Sequence, residues 1–562
     1  MNSPIPNSRP FSHVTRAENL GRLGTESFDL LVIGGGITGV AIARDAALRG
    51  IPTALVEKND WASGTSSRSA RLIHGGLRYL EFYQFGLVFE ALSERAVLRK
   101  IAPRLVRPTP FMYPLYRGQE PGFLKLMAGM WVYDLLAQFR NVSRHRMMLA
   151  RETARREPIV AREGLRGAAR YYDAVVDDAR LTLATAQSAH RAGAVVANHL
   201  RVVGLLSSGG QVAGAVAGDE ITGREIEIHA RVVVNACGPW VDKIRSMDFK
   251  AAIPIAAPIA VPIAAPVSAR TPLLRPTKGV HLIIRRERLT SQHAIAFDSP
   301  RDERHLYVIP WGDFAIIGTT DTDYVQDPDT LRVTPEDVDY LLEAAQHAFP
   351  SARLTQADVI SAYAGLRALI GGDAASTYAI SREHYIEQSE SGLFTIAGGK
   401  LTTHRLMAKE MVDAVAKKLG GAGKCVTGKR HIETAERSGV GIGIPAYNAS
   451  TAHLVEAYGA DAIRPLAYVE ERPDLGRPIA PGLPYIRAEV HYAVEHEMAL
   501  SLADVLIRRT HVIYETFDAG LPQARDVAAL MAEKLGWDAA EQERQVVEYE
   551  HQVSLTRGFR KS

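Results

Sequence analysis

The chain has 562 residues, 46% of them hydrophobic and 23% charged, which is enough for two or three domains around a large buried core. A formal charge of +3 with no long basic run argues against nucleic acid as a partner. Two distant cysteines, Cys237 and Cys425, cannot build a disulfide framework, a zinc cluster or an iron–sulfur centre; no metal is expected, and a reducing compartment fits.

Met1 to Glu26 is polar, contains Pro and Ser, and lacks the apolar core of a secretory signal; it is expected to be a disordered tail. Phe28 to Ile33 then reads as a buried parallel strand. Gly34, Gly36 and Gly39 follow in G-x-G-x-x-G spacing. The first glycine allows the tight turn, the second a close approach to a pyrophosphate, and the third close packing of helix on strand. From Ile37 the residues suit a helix up to Gly50, and Pro52 to Val56 reads as the next strand, ending at Glu57. That acid, 18 residues past Gly39, stands where such folds hold the ribose hydroxyls of an adenine dinucleotide.

Gly122 to Phe139 is an apolar segment interrupted by Lys125 and Asp134 and followed by Arg140, Arg144 and Arg146. It suits either a helix lying in a membrane interface or a buried core helix. No charge-free apolar run reaches 18 residues, so no membrane-crossing helix is expected. Ala251 to Val267 carries four prolines in an apolar near-repeat and reads as an extended insertion on a surface loop, without an assigned function. Arg231 to Trp240 is a strand running into a Gly-Pro turn beside the nucleotide. Leu306 to Asp323 holds two alternating strands joined by Gly312-Asp313. Phe394 to Arg405 is a strand, a Gly-Gly turn and a helix start, whose positive end could face an anionic reduced flavin. A nicotinamide enzyme has no need of this second turn, which tips the cofactor towards flavin. From about Ser438 onward, apolar residues recur at helical spacing, as a cap over the rest of the chain or a dimerisation surface.

Six motifs together, GGGITG, TSSRSARLIHGGLRYLE (Thr65 to Glu81), VVDDARL (Val175 to Leu181), VNACGPW, IIGTTD (Ile316 to Asp321) and AGGKLTT, resemble the FAD-dependent glycerol-3-phosphate dehydrogenases of the respiratory, aerobic type. The resemblance runs from Asp29 to about Leu419, and Pro481 to Thr510 is similar to that family's C-terminal helical domain. It implies an α/β, glutathione-reductase-like FAD-binding fold over residues 27–430. A mixed-sheet substrate domain would be interleaved at about 90–150 and 250–365, and an all-α domain would span 431–562. It also implies oxidation of sn-glycerol 3-phosphate to dihydroxyacetone phosphate, with electrons passing from FAD to a membrane quinone. The enzyme would be cytoplasmic, peripheral at the inner face of the cell membrane, and homodimeric. The alternatives are a glycerol-3-phosphate oxidase using O2 and a non-catalytic flavin-binding scaffold.

Under that resemblance, Arg367 in YAGLRAL matches the phosphate-binding arginine, with Arg382 in ISREH as a second cation. His74 in LIHGG and His281 in KGVHLII compete as general base for the C2 hydroxyl. Lys400 would stabilise the developing alkoxide and the reduced flavin, with Lys278 a weaker cation. The cofactor contacts would come from Gly34, Gly36, Ile37, Thr38, Gly39, Glu57, Thr65, Ser66, Ser67, Gly75, Gly76, Ala236, Gly238, Gly399, Lys400, Leu401 and Thr402. Two departures from the family pattern stand beside these residues: Leu366-Arg367-Ala368 where Val-Arg-Pro is usual, and His404 where a tyrosine is common.

Overall fold

The strand Ser27–Ile33 is buried along most of its length because both its faces are covered, as a parallel strand at the centre of a sheet requires. It pairs in parallel with Thr53–Val56 on one side and with Glu225–Asn235 on the other. This computed structural model describes residues 9–118, 122–248, 253–254, 272–302, 304–371, 383–433 and 448–560. Within them the first sheet has nine strands, ordered 253–254, 200–208, 211–219, 225–235, 27–33, 53–56 and 195–197. The hairpin formed by His384–Gln388 and Phe394–Gly398 joins it by pairing with Glu225–Asn235. The helix Ile37–Leu48 rises from the glycine turn and packs against the helices Asp178–Arg191 and His404–Leu419.

Among the described residues the second sheet has ten strands and is mixed. At one end of it is an antiparallel set in which Thr277–Arg285 lies between Phe314–Gly318 and Val359–Arg367. The second sheet also takes in strands outside the expected substrate segments, 90–150 and 250–365. Leu165–Val176 is the antiparallel neighbour of Val106–Tyr116, and Leu72–Ile73 pairs with Leu165–Val176 in turn. Two residues of the LIHGG motif thus belong to this sheet.

The expectation of a disordered tail is corrected from residue 9 onward. His13–Thr25 is a helix capped by Ser12, whose hydroxyl accepts from the Thr15 N–H at 3.2 Å. Arg16 donates to the Asn198 and His199 carbonyls and pairs with Asp219, while Asn19 donates to the Val196 carbonyl. The polar residues that suggested a solvated tail are buried ligands of backbone at the sheet edge. The Ala/Pro tract lies outside the described residues apart from Ile253–Pro254, which pairs with Leu200–Ser208.

Residues 448–560 form helices joined by turns, and these pack onto the rest of the chain. The final helix, Ala539–Arg557, and the short helix Val512–Glu515 both lie against the strand Val359–Arg367. Among the described residues no helix is long and apolar enough to cross a membrane. The helix Phe123–Leu136 is neither wholly buried nor wholly amphipathic in the usual sense. Leu126, Met130, Tyr133 and Asp134 are buried, Asp134 accepting from Asn141 and His145. Leu124, Trp131, Leu135 and Phe139 are exposed at 73%, 50%, 63% and 51%.

Candidate active site

A cavity of about 490 Å3 is lined by residues of both sheets, a size and a site common to small-molecule pockets between layers. At one end stand Gly34, Gly36, Ile37, Thr38, Glu57, Ala236 and Gly238. Gly34 has φ +112°, and a Cβ there would lie 2.7 Å from the Ala236 carbonyl oxygen. A Cβ on Gly39 would lie 1.8 Å from the Gly34 carbonyl oxygen, so this residue keeps the helix against the strand and does not line the cavity. Glu57 is buried, accepting from the Gly35 N–H at 2.6 Å and the Asn59 N–H at 2.9 Å. Burial raises its pKa, against the pull of those two N–H groups.

The serine-rich half of the opening motif joins the two layers. Ser66 Oγ accepts from the Ile37 N–H at 2.9 Å, fixing the first turn of the glycine helix. Thr65 Oγ1 donates to the Leu366 carbonyl at 2.5 Å, beside Arg367. The Thr402 hydroxyl bonds both the N–H and the carbonyl of His74, at 3.1 and 3.2 Å. The AGGKLTT turn and the LIHGG segment are therefore one structure. Thr65, Ser66, His74, Gly76, Gly399, Lys400, Leu401 and Thr402 all line the cavity. Besides Gly39, two expected cofactor contacts do not. Ser67 is buried behind the wall, and the Gly75 N–H points away from the cavity to Tyr133 and Asp173.

The other end is built on the second sheet. Arg367 closes the strand Val359–Arg367, and its guanidinium donates to Asp321 Oδ1 at 3.1 Å, Thr319 Oγ1 at 3.0 Å and the Thr320 carbonyl at 3.1 Å. Gly279 gives it room, since a Cβ there would sit 2.5 Å from Nη2. His281 lies on the neighbouring strand, opposite Gly318 and Tyr363 in register. A Cβ on Gly318 would lie 2.3 Å from the imidazole, and Tyr363 stacks on it at 4.9 Å. Among the described residues neither ring nitrogen of His281 has a hydrogen-bond partner. Burial, then the charges of Arg367 and Arg71, push its pKa down to about 3, so the ring is neutral and can accept a proton. Lys400 Nζ sits 3.9 Å over the Tyr79 ring.

Arg382 lies outside the described residues. Lys278 does not reach the cavity: it points to the other face of its strand and pairs with Asp337 at 2.6 Å. The departing His404 is buried, its Nδ1–H donating to the Leu401 carbonyl at 2.7 Å, and burial pushes its pKa down to about 4. It supports the turn as a neutral residue.

Several wall residues were missed. Arg78 and Tyr79 line the cavity within the HGGLRYLE block itself. His305 and Tyr307 line it from the strand His305–Trp311. Burial works to lower the pKa of His305, but Asp298 on Nδ1 and Glu81 near Nε2 outweigh it and carry it up to about 9. No local signal marks this residue, because Glu81 is 224 positions away. The acid–histidine trio Asp60, His199 and Asp504 is neutralised by Arg508 and Arg509, whose guanidiniums bond its two carboxylates.

Residues 29–414 match the model of the FAD dependent oxidoreductase family, and residues 403–542 match that of the C-terminal domain of alpha-glycerophosphate oxidase. The chain is 39% identical to glycerol-3-phosphate dehydrogenase of Mycobacterium leprae over 557 residues, covering 96% of this chain and 90% of the relative. The chain belongs to the FAD-dependent glycerol-3-phosphate dehydrogenases. The aerobic glycerol-3-phosphate dehydrogenase of Bacillus subtilis is 35% identical over 549 residues, 94% of this chain and 95% of that one. The crystal structure of glycerol-3-phosphate dehydrogenase from Bacillus halodurans complexed with FAD superposes with TM-score 0.77 at 34% identity, covering 97% and 98% of the two chains. L-α-glycerophosphate oxidase from Mycoplasma pneumoniae, at 16% identity and TM-score 0.54 over 72% of this chain, shares the fold.

FAD is the cofactor of this dehydrogenase family, and the residues present fit it. The cradle leaves no space for a Cβ at Gly34 or Gly39, the pyrophosphate end opens onto a helix start, and the cavity continues from there to Lys400 and Arg367.

Proposed function

We propose that the protein oxidises sn-glycerol 3-phosphate to dihydroxyacetone phosphate, with His281 as the general base. The observation that carries this reading is a neutral, buried imidazole without a hydrogen-bond partner among the described residues, on the same wall as an arginine held by Asp321. Arg367 is held by Asp321, Thr319 and the Thr320 carbonyl and presents a planar cation to the substrate phosphate. His281 accepts the C2 hydroxyl proton as the C2 hydride departs. Burial is the larger cause of the low imidazole pKa and the Arg367 charge the next; the phosphate dianion offsets the second, so the base strengthens once substrate is bound. Lys400 places a cation where negative charge develops. Bound FAD supplies the two-electron acceptor. His74 is the weaker candidate for base, since its backbone is pinned on both sides by Thr402 and serves the architecture of the turn.

The test is anaerobic bleaching of the yellow protein by glycerol 3-phosphate. His281→Asn should retain FAD and slow single-turnover bleaching by about 10²–10⁴-fold, with His74→Asn much less affected. The reverse order would transfer the role to His74, and a wild-type protein that never bleaches would favour the scaffold.

We propose a membrane quinone as the electron acceptor and peripheral contact with the inner face of the cell membrane. The exposed apolar side of the helix Phe123–Leu136, continued by Phe139 and followed by Arg140 and Arg144, supports this. Phe82, Tyr83, Phe85 and Phe89 add a second exposed apolar group on and before the helix Phe85–Ile101, which packs against it. Oxidase chemistry would instead release one peroxide per substrate oxidised, and quinone reduction without peroxide separates the two. Homodimer formation is part of the same proposal, and light scattering should give twice the chain mass.

A further inference from the structure

The end of the cavity beyond Glu57 is closed by a contact between the two layers. Lys58 follows the strand Thr53–Val56 of the first sheet; Trp240 and Lys243 follow Glu225–Asn235 of the same sheet. Asp329 comes from the loop after Thr322–Asp323 of the second sheet, and all four line the cavity. The Asp329 carboxylate accepts from Lys58 Nζ at 2.6 Å, Trp240 Nε1 at 2.9 Å and Lys243 Nζ at 3.2 Å. Lys58 also sits 4.2 Å over the Trp240 ring, a cation–π contact that holds both donors in place.

The loop is built to deliver that carboxylate. Asp327 accepts from the Asp329 N–H at 2.9 Å, and Lys243 reaches both Asp327 oxygens at 2.9 Å. Tyr324 Oη donates to the Asp327 carbonyl at 3.2 Å. Leu331 and Val333 then anchor the chain in the core beneath the second sheet.

We infer that Asp329 is a clasp that retains the adenosine half of FAD, supplied by the substrate layer and fastened on the cofactor layer. This rests on the placement of FAD in the cavity with Glu57 at the ribose. A lone exposed ion pair would do little. Here one carboxylate gathers three donors from two segments, and parting the layers at this end breaks all three contacts together. Asp329 is 44% exposed, so the clasp is reached by salt and weakens as salt screens it.

The holoenzyme tests this by the rate at which FAD leaves, followed as the rise of free-flavin fluorescence after dilution into apoprotein-trapping conditions. Asp329→Asn should release FAD about 5- to 10-fold faster than wild type at low salt. Wild-type release should accelerate with salt towards the variant's rate, and the variant's rate should change little. Lys58→Met should speed release as well, and the double variant should be no faster than the faster single one. The thermal midpoint of the apoprotein should be the same in wild type and Asp329→Asn. Release within twofold of wild type, additive single effects, or an apoprotein midpoint that falls in step with retention would each overturn the clasp. A protein that takes up no FAD at all would instead refute the cofactor placement on which it rests.

Discussion

Arg367 and His281 sit on adjacent strands of one sheet, and each is given room by a glycine on a neighbouring strand. The arginine is not an isolated charge: Asp321 holds it at 3.1 Å, so a phosphate binds a pre-oriented guanidinium. Arg367→Ala should raise the substrate concentration needed for half-maximal bleaching by about 100-fold or more, and glycerol itself should react no worse than before. Equal losses for both substrates would refute a phosphate-specific role. His305 makes a different prediction, through pH. Its folded pKa of about 9 lies above the ordinary 6.5 because Asp298 and Glu81 outweigh burial. Its contribution to stability is therefore complete below pH 6.5 and disappears as pH rises through about 9. The gap in thermal midpoint between wild type and His305→Gln should be widest near pH 6 and close by pH 10. A gap that stays constant would show that the imidazolium bridge adds nothing.

The helix Phe123–Leu136 is the element whose sequence left two readings open, and the structure shows why. Lys125 and Asp134 fall on different faces, but Asp134 is buried with Asn141 and His145 as partners, so it does not mark the solvent side. The solvent side carries Leu124, Trp131 and Leu135 beside the exposed Lys125. Replacing Trp131 and Leu135 together by Glu should lower co-sedimentation with anionic vesicles by at least about 10-fold, since each side chain is worth about 1.5–3 kcal/mol when buried in an apolar phase. Anaerobic flavin bleaching, which needs no membrane, should be unchanged. Undiminished co-sedimentation would remove this helix from the membrane contact. The same logic explains the helix His13–Thr25. Its polarity suggests solvation, whereas Arg16 and Asn19 spend their donors on sheet-edge carbonyls. The glycine turn and its flanking strands were legible because backbone demands at Gly34 and Gly39 are local. The roles of His305 and Asp329 were not, because their partners come from distant chain segments.

At the scale of the molecule, the C-terminal helices are fastened to the cofactor layer through a buried charge network. Asp60, three residues past Glu57, accepts from Arg508 Nε at 2.6 Å and from Arg509 Nη1 and Nη2 at 2.7 and 2.9 Å. Asp504 completes the cluster with Arg508 and His199, and Arg180 pairs with Glu497 nearby. Neither arginine is visible as an interdomain contact in the sequence, where they read as the charged face of a helix. Asp60 is wholly buried, so removing its charge takes from Arg508 and Arg509 the counter-charge they share and leaves them only Asp504 and Glu497, a loss of about 3–5 kcal/mol. Asp60→Asn keeps the shape and deletes the charge. It should loosen the C-terminal helices first, so that limited proteolysis releases a fragment near residues 448–560 under conditions where the wild-type chain stays intact. Because the loop after Glu57 carries Asp60, retention of FAD should weaken in the same variant. Arg509→Met/Asp60→Met, which removes charge on both sides, should recover much of the protease resistance. If the double variant is cleaved as readily as Asp60→Asn, the network's contribution is not the pairing of these charges but the packing around them.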